Sequence, residues 1–188
     1  MSGLGRTILY ATAFLVANAG IAFGADLEAL KEGSMKKLVI HSAPQEVSDA
    51  AFVAPDGSEV RMSDFAGQYI LLNFWATWCA PCRKEMPGLD ALEAEFGSDT
   101  FRVLTVATGR NPEAALTRFF AETDIQNLPK YRDPRQGLAR NMAVLGLPVT
   151  VLIDADGREI ARLTGDAEWD SDSAKAILTA WMGGSPTE

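Results

Sequence analysis

Two cysteines, Cys79 and Cys82, are the residues of this chain whose type and spacing most directly suggest chemistry, and the chain has no others. Trp78 precedes the pair, and Ala80 and Pro81 separate its members. An apolar run stands before the motif and a helical pattern follows it, which predicts Cys79 at a helix N-terminus. Unpaired N–H groups and the helix dipole favour a thiolate there. Cys82 falls one turn later on the same face. The pair can therefore attack a disulfide with one sulfur and release the product with the other.

Other uses of a C-x-x-C motif fit this chain less well. A disulfide framework uses more cysteines at wider spacing, and a structural zinc site needs four ligands. The single histidine, His41, lies far upstream and is expected on the surface of the N-terminal segment. Trp78 is expected to be exposed as an apolar contact for partner proteins, whereas Trp75 is expected in the core. Pro81 is expected to restrict the loop beside the substrate.

The length and net charge of the chain limit the number of domains and the classes of partner it can bind. The 188 residues suit one domain with a short leader. The formal charge of −8 argues against binding to nucleic acids or to anionic lipid surfaces. An acidic surface usually serves solubility, and it can also favour partners that carry a basic patch.

The N-terminus differs from the rest of the chain. Residues 7–24 carry no charge and follow the cation Arg6. They are interpreted either as a signal peptide cut after Ala19 or near Ala25, or as an uncleaved membrane anchor. Both interpretations export the domain to an oxidising compartment. The expected organisation is a leader over residues 1–25, a linker or extension over 26–47, and the domain over 48–184.

Periodicity and turn residues give the order of the elements. The uninterrupted apolar run over 69–75 predicts a central strand. It is followed by a helix that Gly97 ends and by a second buried strand over 101–107, so the three form a βαβ unit. The other predicted elements are a hairpin over 52–62, a helix capped by Asn111, a short strand over 128–132, a helix from Asp133, strands over 149–153 and 159–164, and a final helix capped by Ser171.

Three segments resemble one protein family. Residues 73–87, read as NFWATWCAPCRKEMP, look like the active-site segment of the TlpA/ResA-like branch of thioredoxin-fold proteins. Residues 146–150 look like that family's cis-proline loop, and residues 167–170 resemble the TlpA group. The similarity covers roughly residues 45–182. It implies an α/β thioredoxin fold, a central mixed sheet flanked by helices, with an N-terminal hairpin extension and a central helical insert.

The resemblance also implies residue roles. Cys79 would be the nucleophile and Cys82 the buried resolving thiol. Pro148 would be cis, although X-Pro bonds are trans by default, and the backbone at Leu147 would pair with the bound substrate. Glu85 matches an acidic residue implicated in proton handling, and burial would raise its pKa into a range suited to acid–base work.

One departure from thioredoxin itself is informative, because Asn73 stands where thioredoxins have a buried aspartate, and it cannot titrate. The expected function is an exported, membrane-anchored monomer that reduces protein disulfides and needs no cofactor beyond the Cys79–Cys82 disulfide. Its expected partners are apocytochrome c cysteines, or copper-chaperone and oxidase cysteines, together with a membrane thiol donor of electrons. The alternatives are a dithiol oxidase and a Cu(I)-binding chaperone.

Overall fold

The structure, a computed structural model, describes residues 27–183. The strands are β1 (Leu38–Glu46), β2 (Phe52–Val53), β3 (Glu59–Val60), β4 (Tyr69–Trp75), β5 (Phe101–Thr108), β6 (Tyr131–Asp133), β7 (Val149–Ile153) and β8 (Arg158–Thr164). The helices are α1 (Ala80–Phe96), α2 (Glu113–Glu122), α3 (Gly137–Asn141) and α4 (Asp172–Trp181), with short 3-10 helices at Gly33–Lys37 and Met62–Phe65.

The eight strands form one mixed sheet in the order β1-β8-β7-β4-β5-β6-β2-β3. The central strand β4 pairs in parallel with β5 and antiparallel with β7. Helix α1 joins β4 to β5, so the predicted βαβ unit is confirmed. The predicted hairpin is β2 and β3, which joins the sheet through β6. This is the expected thioredoxin fold, with the insert of α2, β6 and α3 between β5 and β7.

Burial on both faces explains why β4 is a nearly unbroken apolar run. Leu71 and Trp75 point into a cluster that α1, α2 and α4 cover. Leu72 and Phe74 point into a second cluster, beneath α3 and the hairpin. Side chains alternate between the faces of a strand, so Asn73 lies on the same face as Leu71 and Trp75. A polar residue is thereby placed under α1 in the middle of the core.

The closing helix follows its sequence signals. The Ser171 hydroxyl accepts a hydrogen bond from the Ala174 N–H at 3.3 Å, which confirms the predicted cap. Trp181 lies at the other end of α4 and is buried. Its ring packs edge-on against Tyr69 and Phe101, with centroids 5.2 and 6.3 Å away. Helix α4 is thus fixed across the starts of β4 and β5.

The segment predicted as a linker or extension contains strand β1, which pairs with β8 in the same sheet. Leu38 is the one buried residue of this edge strand, which explains why the segment shows little periodicity. His41 is only partly exposed, contrary to expectation. Its Nε2 lies 2.8 Å from Oε1 of Glu159, a buried carboxylate that also pairs with Arg162.

Two predicted caps differ from the structure. Pro112, not Asn111, precedes the first residue of α2, and the Asn111 side chain bonds elsewhere. Asp133 ends β6 instead of opening a helix, and α3 begins at Gly137. The Asp133 carboxylate nevertheless accepts hydrogen bonds from the Gly137 and Ala139 N–H groups, at 2.9 and 3.0 Å. Its capping role is therefore real, but it acts from the preceding strand.

Candidate active site

Cys79 and Cys82 are joined in a disulfide at the start of α1, with their Cα atoms 5.3 Å apart. Cys79 is the extended residue that precedes the helix, and its Sγ accepts a hydrogen bond from the Cys82 N–H at 3.3 Å. Pro81 occupies the first turn, where its missing N–H costs no helical hydrogen bond. The predicted placement of the motif at a helix N-terminus is confirmed.

The two sulfurs differ in exposure. Cys79 retains 6 % of its surface, whereas Cys82 is completely buried. Trp78, beside Cys79, is 65 % exposed, and Pro81 is also exposed. Trp75 is buried as expected and packs on Phe119, with ring centroids 5.3 Å apart. An incoming molecule would therefore reach Cys79 first and meet Trp78 and Pro81 around it.

The turn before the motif is held by Asn111. Its Oδ1 accepts hydrogen bonds from the Thr77 N–H and hydroxyl, at 2.8 and 3.0 Å. Its Nδ2 donates to the Thr108 carbonyl at 2.9 Å, at the end of β5. These bonds tie the turn that carries Trp78 to the end of β5 and the approach to α2. Sequence reasoning missed this role because an Asn before Pro112 has the pattern of a helix cap.

Pro148 lies at the same end of the sheet as the disulfide, because Phe74 pairs with Val149 in the register of β4 and β7. The Leu147–Pro148 peptide bond is cis, as the resemblance implies. Leu147 is partly buried and packs against the cluster that contains both cysteines. The structure thus brings Leu147 and Pro148 to the active-site end.

Glu85 is the buried charged group of the site, one turn beyond Cys82 on α1 and only 3 % exposed. Its Oε1 accepts a hydrogen bond from Asn73 Nδ2 at 2.8 Å. Its Oε2 accepts from the Ala167 N–H at 3.0 Å and from the Trp169 Nε1–H at 3.1 Å. Burial raises the pKa of Glu85 from 4.5 to about 7, although these three hydrogen bonds favour the carboxylate and act in the opposite direction.

Asn73 belongs to a polar row across three central strands, since it lies opposite Thr105 on β5 and Thr150 on β7. All three are fully buried. Asn73 Nδ2 also donates to Thr150 Oγ1 at 2.9 Å. Its Oδ1 and the Thr105 hydroxyl have no hydrogen-bond partner in the part of the chain described. Asn73 therefore supports Glu85 as a donor while keeping an unused acceptor beside it.

Sequence reasoning identified Glu85 but did not find the groups that hold it. Ala167 and Trp169 are 82 and 84 residues away along the chain, so no spacing signal joins them to Glu85. Residues 167–170 stand out in the sequence only through the family resemblance. The polar positions Asn73 and Thr150, inside otherwise apolar strands, are the signal that could have indicated a buried polar cluster.

Within residues 27–183, no three histidine, cysteine or carboxylate side chains come together in a way that could hold a metal ion. Over that same range, no helix has both the length and the apolar character needed to cross a bilayer. The uncharged run predicted as a leader lies outside the described residues.

This chain is similar to several proteins of known class. The Redoxin family model matches residues 41–178. The thiol-disulfide oxidoreductase ResA of Bacillus subtilis is 33 % identical over 123 residues, which are 64 % of this chain and 68 % of ResA. The thioredoxin-like protein YneN of the same organism is 32 % identical over 65 % of this chain and 71 % of its own length. For several other ResA proteins the matched part is slightly under two thirds of their length.

Solved structures show the same fold. A putative thiol:disulfide interchange protein DsbE from Chlorobium tepidum superposes with a TM-score of 0.65 at 26 % identity, over 74 % of this chain and 97 % of that one. The exposed lipoprotein thioredoxin Etrx1 of Streptococcus pneumoniae gives 0.59 at 31 % identity, over 72 % and 99 %. The chain therefore belongs to the Redoxin family, and it carries the disulfide site of a thiol–disulfide oxidoreductase.

Proposed function

We propose that this protein reduces disulfides in partner proteins outside the cytoplasm, with Cys79 as the attacking sulfur and Cys82 as the resolving one. The observation that carries the proposal is the asymmetry of the pair at the start of α1. Cys79 has exposed surface and precedes the helix, and Cys82 is completely buried within it. The N–H groups of the first turn favour a thiolate on Cys79.

The reaction balances in two exchanges. In the reduced protein, the Cys79 thiolate attacks one sulfur of the substrate disulfide, forms a mixed disulfide and releases the other substrate sulfur as a thiolate, which takes a proton from water. Cys82 then loses its proton and attacks the Cys79 sulfur. That step forms the Cys79–Cys82 bond, breaks the mixed disulfide and releases the second substrate thiolate. Two electrons pass from the protein to its substrate.

Glu85 is suited to take the proton that Cys82 loses. It lies one turn further along α1, and its pKa of about 7 allows it to gain and lose a proton near neutral pH. Asn73 and Trp169 hold the carboxylate in one position through hydrogen bonds to its two oxygens. The buried thiol has little access to water, so a proton acceptor within the core supports the second exchange.

The direction of electron flow forms part of the proposal. A reductase should show a reduction potential of about −250 mV or lower, whereas a dithiol oxidase should lie near about −120 mV. Equilibration with glutathione buffers, followed through the tryptophan fluorescence of the two redox forms, measures this value. A potential above about −180 mV would favour the oxidase. A reductase in an oxidising compartment must be recharged, and we propose a membrane dithiol donor for that step.

We further propose that the uncharged N-terminal run exports the domain and anchors it in the inner membrane. The proposed substrates are the cysteines of apocytochrome c, or those of the copper chaperones and copper centre of cytochrome oxidase. The apolar run after Arg6 and the exposed lipoprotein among the structural relatives support export. Protease treatment of intact spheroplasts tests it. The domain should be digested when the outer face of the membrane is reached, while a cytoplasmic marker protein survives.

Trapping tests the exchange chemistry itself. Cys82→Ser leaves the attacking sulfur without its resolving partner, so mixed disulfides should accumulate on Cys79 in cells and appear as adducts on non-reducing gels. Cys79→Ser is the matched control, because it removes the outer thiol and leaves only the buried thiol of Cys82. If Cys79→Ser traps partners and Cys82→Ser does not, the assigned roles are reversed. If neither variant traps a partner, disulfide exchange is not the activity.

A further inference from the structure

A groove runs beside the reactive disulfide between the turn that carries Trp78 and helix α2. It has a volume of about 350 Å³, and we call it the α2 groove. Its walls include Thr77, Trp78, Arg83, Arg118, Phe119 and Glu122. Since Trp78 directly precedes Cys79, a segment lying in this groove would belong to the same molecule that presents its disulfide to Cys79.

The wall of the α2 groove is already ordered in the free protein. The two hydrogen bonds from Thr77 to Asn111 fix the turn below Trp78, and Asn111 is only 9 % exposed. Phe119 is buried at the base. A surface that does not have to be ordered on binding loses less free energy to conformational entropy. The backbone below Trp78 is therefore held in place before a segment binds.

The charges in the groove differ from those of the chain as a whole. The chain carries a formal charge of −8, yet two guanidinium groups, of Arg83 and Arg118, line the α2 groove against one carboxylate, that of Glu122. The guanidinium of Arg83 stacks on Phe119, with its carbon 5.1 Å from the ring centroid.

Neither guanidinium forms an ion pair with a carboxylate of the described residues. Within residues 27–183, the arginines that form ion pairs within 4.0 Å are others, at positions 61, 132 and 162. A guanidinium that rests on an aromatic ring keeps its edge available for a carboxylate, which it binds through two parallel hydrogen bonds. Arg83 and Arg118 are thus placed to receive an acidic side chain.

We propose that the α2 groove selects partner segments in which an acidic side chain lies close to the cysteine that Cys79 attacks. The aliphatic or aromatic part of that segment would pack on the exposed ring of Trp78, and its carboxylate would lie between Arg83 and Arg118. This inference rests on the proposed function, because it names the kind of disulfide substrate that the site accepts. The selection is local, since an acidic residue placed elsewhere on a partner would meet a negatively charged surface.

Three synthetic peptides with one disulfide each test the proposal. They are identical except that the residue beside the attacked cysteine is Glu, Gln or Lys. The protein is first reduced with dithiothreitol, which is then removed, and the second-order rate constant for reduction of each peptide is measured at low salt. We expect the Glu peptide to react about fivefold faster than the Gln peptide and the Lys peptide to react more slowly. The difference should shrink at about 0.5 M salt.

Arg118→Glu supplies the decisive variant, because it reverses one charge of the groove from α2 and leaves α1 and both cysteines untouched. The order of the three peptides should invert in this variant. Arg158→Glu is the matched control, because it makes the same change in net charge. Arg158 follows the turn at the opposite end of the sheet from the disulfide. This variant should keep the wild-type order. Alkylation of Cys79 by neutral iodoacetamide, measured in all three proteins, checks that the reactivity of the thiolate is unchanged.

The outcomes separate this inference from the proposed function. If the wild-type protein reduces all three peptides at equal rates, the charge selection is refuted while the reductase activity stands. If Arg118→Glu and Arg158→Glu change the rates alike, the effect comes from net charge and the groove has no part in it. If the wild-type protein reduces none of the peptides and no small neutral disulfide, the proposed function itself fails.

Discussion

Glu85 should make the stability of the folded protein depend on pH in an unusual direction. Its pKa is about 7 in the folded state against 4.5 for an ordinary glutamate, because burial disfavours the carboxylate. The folded protein therefore holds a proton on Glu85 that the unfolded chain has lost between these two pH values. Stability falls as pH rises across that window and then stays level. The full interval corresponds to about 3 kcal/mol.

Glu85→Gln removes this titration and keeps a side chain of nearly the same shape. The introduced amide oxygen can still accept hydrogen bonds from Ala167 and Trp169. The introduced amide N–H can donate to Asn73 Oδ1, which has no other partner among the described residues, once the Asn73 amide turns over. Between pH 5 and pH 8 the wild-type free energy of unfolding should drop by about 2 to 3 kcal/mol more than that of the variant. Titrations shared by both proteins cancel in this comparison.

Urea unfolding at several pH values between about 4 and 8 measures the difference. Both proteins are kept oxidised, so that the thiols do not titrate. Glu168→Gln is the matched control, because it removes an exposed glutamate from the segment that contacts Glu85. It should follow the wild-type curve. If Glu85→Gln loses as much stability as the wild type between pH 5 and pH 8, Glu85 ionises at its ordinary pH and the assigned proton acceptor is wrong.

Three further changes test other parts of the structure. Trp169→Phe removes one N–H donor to the Glu85 carboxylate, a hydrogen bond worth about 1.5 kcal/mol or more. The pKa of Glu85 should therefore rise from about 7 to about 8 or above in a carbon-13 NMR titration. An unchanged pKa would contradict the hydrogen bond. Glu159→Gln leaves Arg162 without its buried partner and should lower the free energy of unfolding at pH 7 by about 3 kcal/mol. Burial alone would raise the pKa of Glu159, but hydrogen bonds from Arg162 and His41 outweigh it and lower that pKa. The stability that this carboxylate contributes is therefore lost as pH falls below about 4.5. In urea unfolding, the variant should not show this loss of stability at acidic pH. Asn111→Ala should cost about 2 kcal/mol of stability and speed hydrogen exchange at the amide of the turn before the nucleophile; unchanged exchange would show that the turn holds itself.

The parts of the fold that follow from local signals were predicted well. Strand β4 is an apolar run covered on both faces, and α4 has a serine cap and one apolar side. Both patterns lie within about ten residues. Strand β1 has no comparable pattern, because an edge strand with one buried residue looks like a polar linker. Its assignment depends on pairing with β8, more than a hundred residues away.

The site divides in the same way. The cysteines are found from their own spacing, and their placement at a helix start follows from the strand before them. The environment of Glu85 depends on Trp169 and on the backbone at Ala167, which only the folded chain brings near. Asn111 shows the opposite error, since a correct local pattern for a cap was overruled by a tertiary contact with Thr77.

Both outer strands of the sheet are poorly suited to pair with another polypeptide chain. At one rim, β1 contains Pro44, which lacks an N–H, and its register with β8 is interrupted between Ile40 and Gln45. At the other rim, β3 is only two residues long. Neither rim offers a long, regular ladder to a passing chain, and such ladders are what join folded proteins into aggregates. These features lower the tendency of either sheet edge to pair with another polypeptide chain.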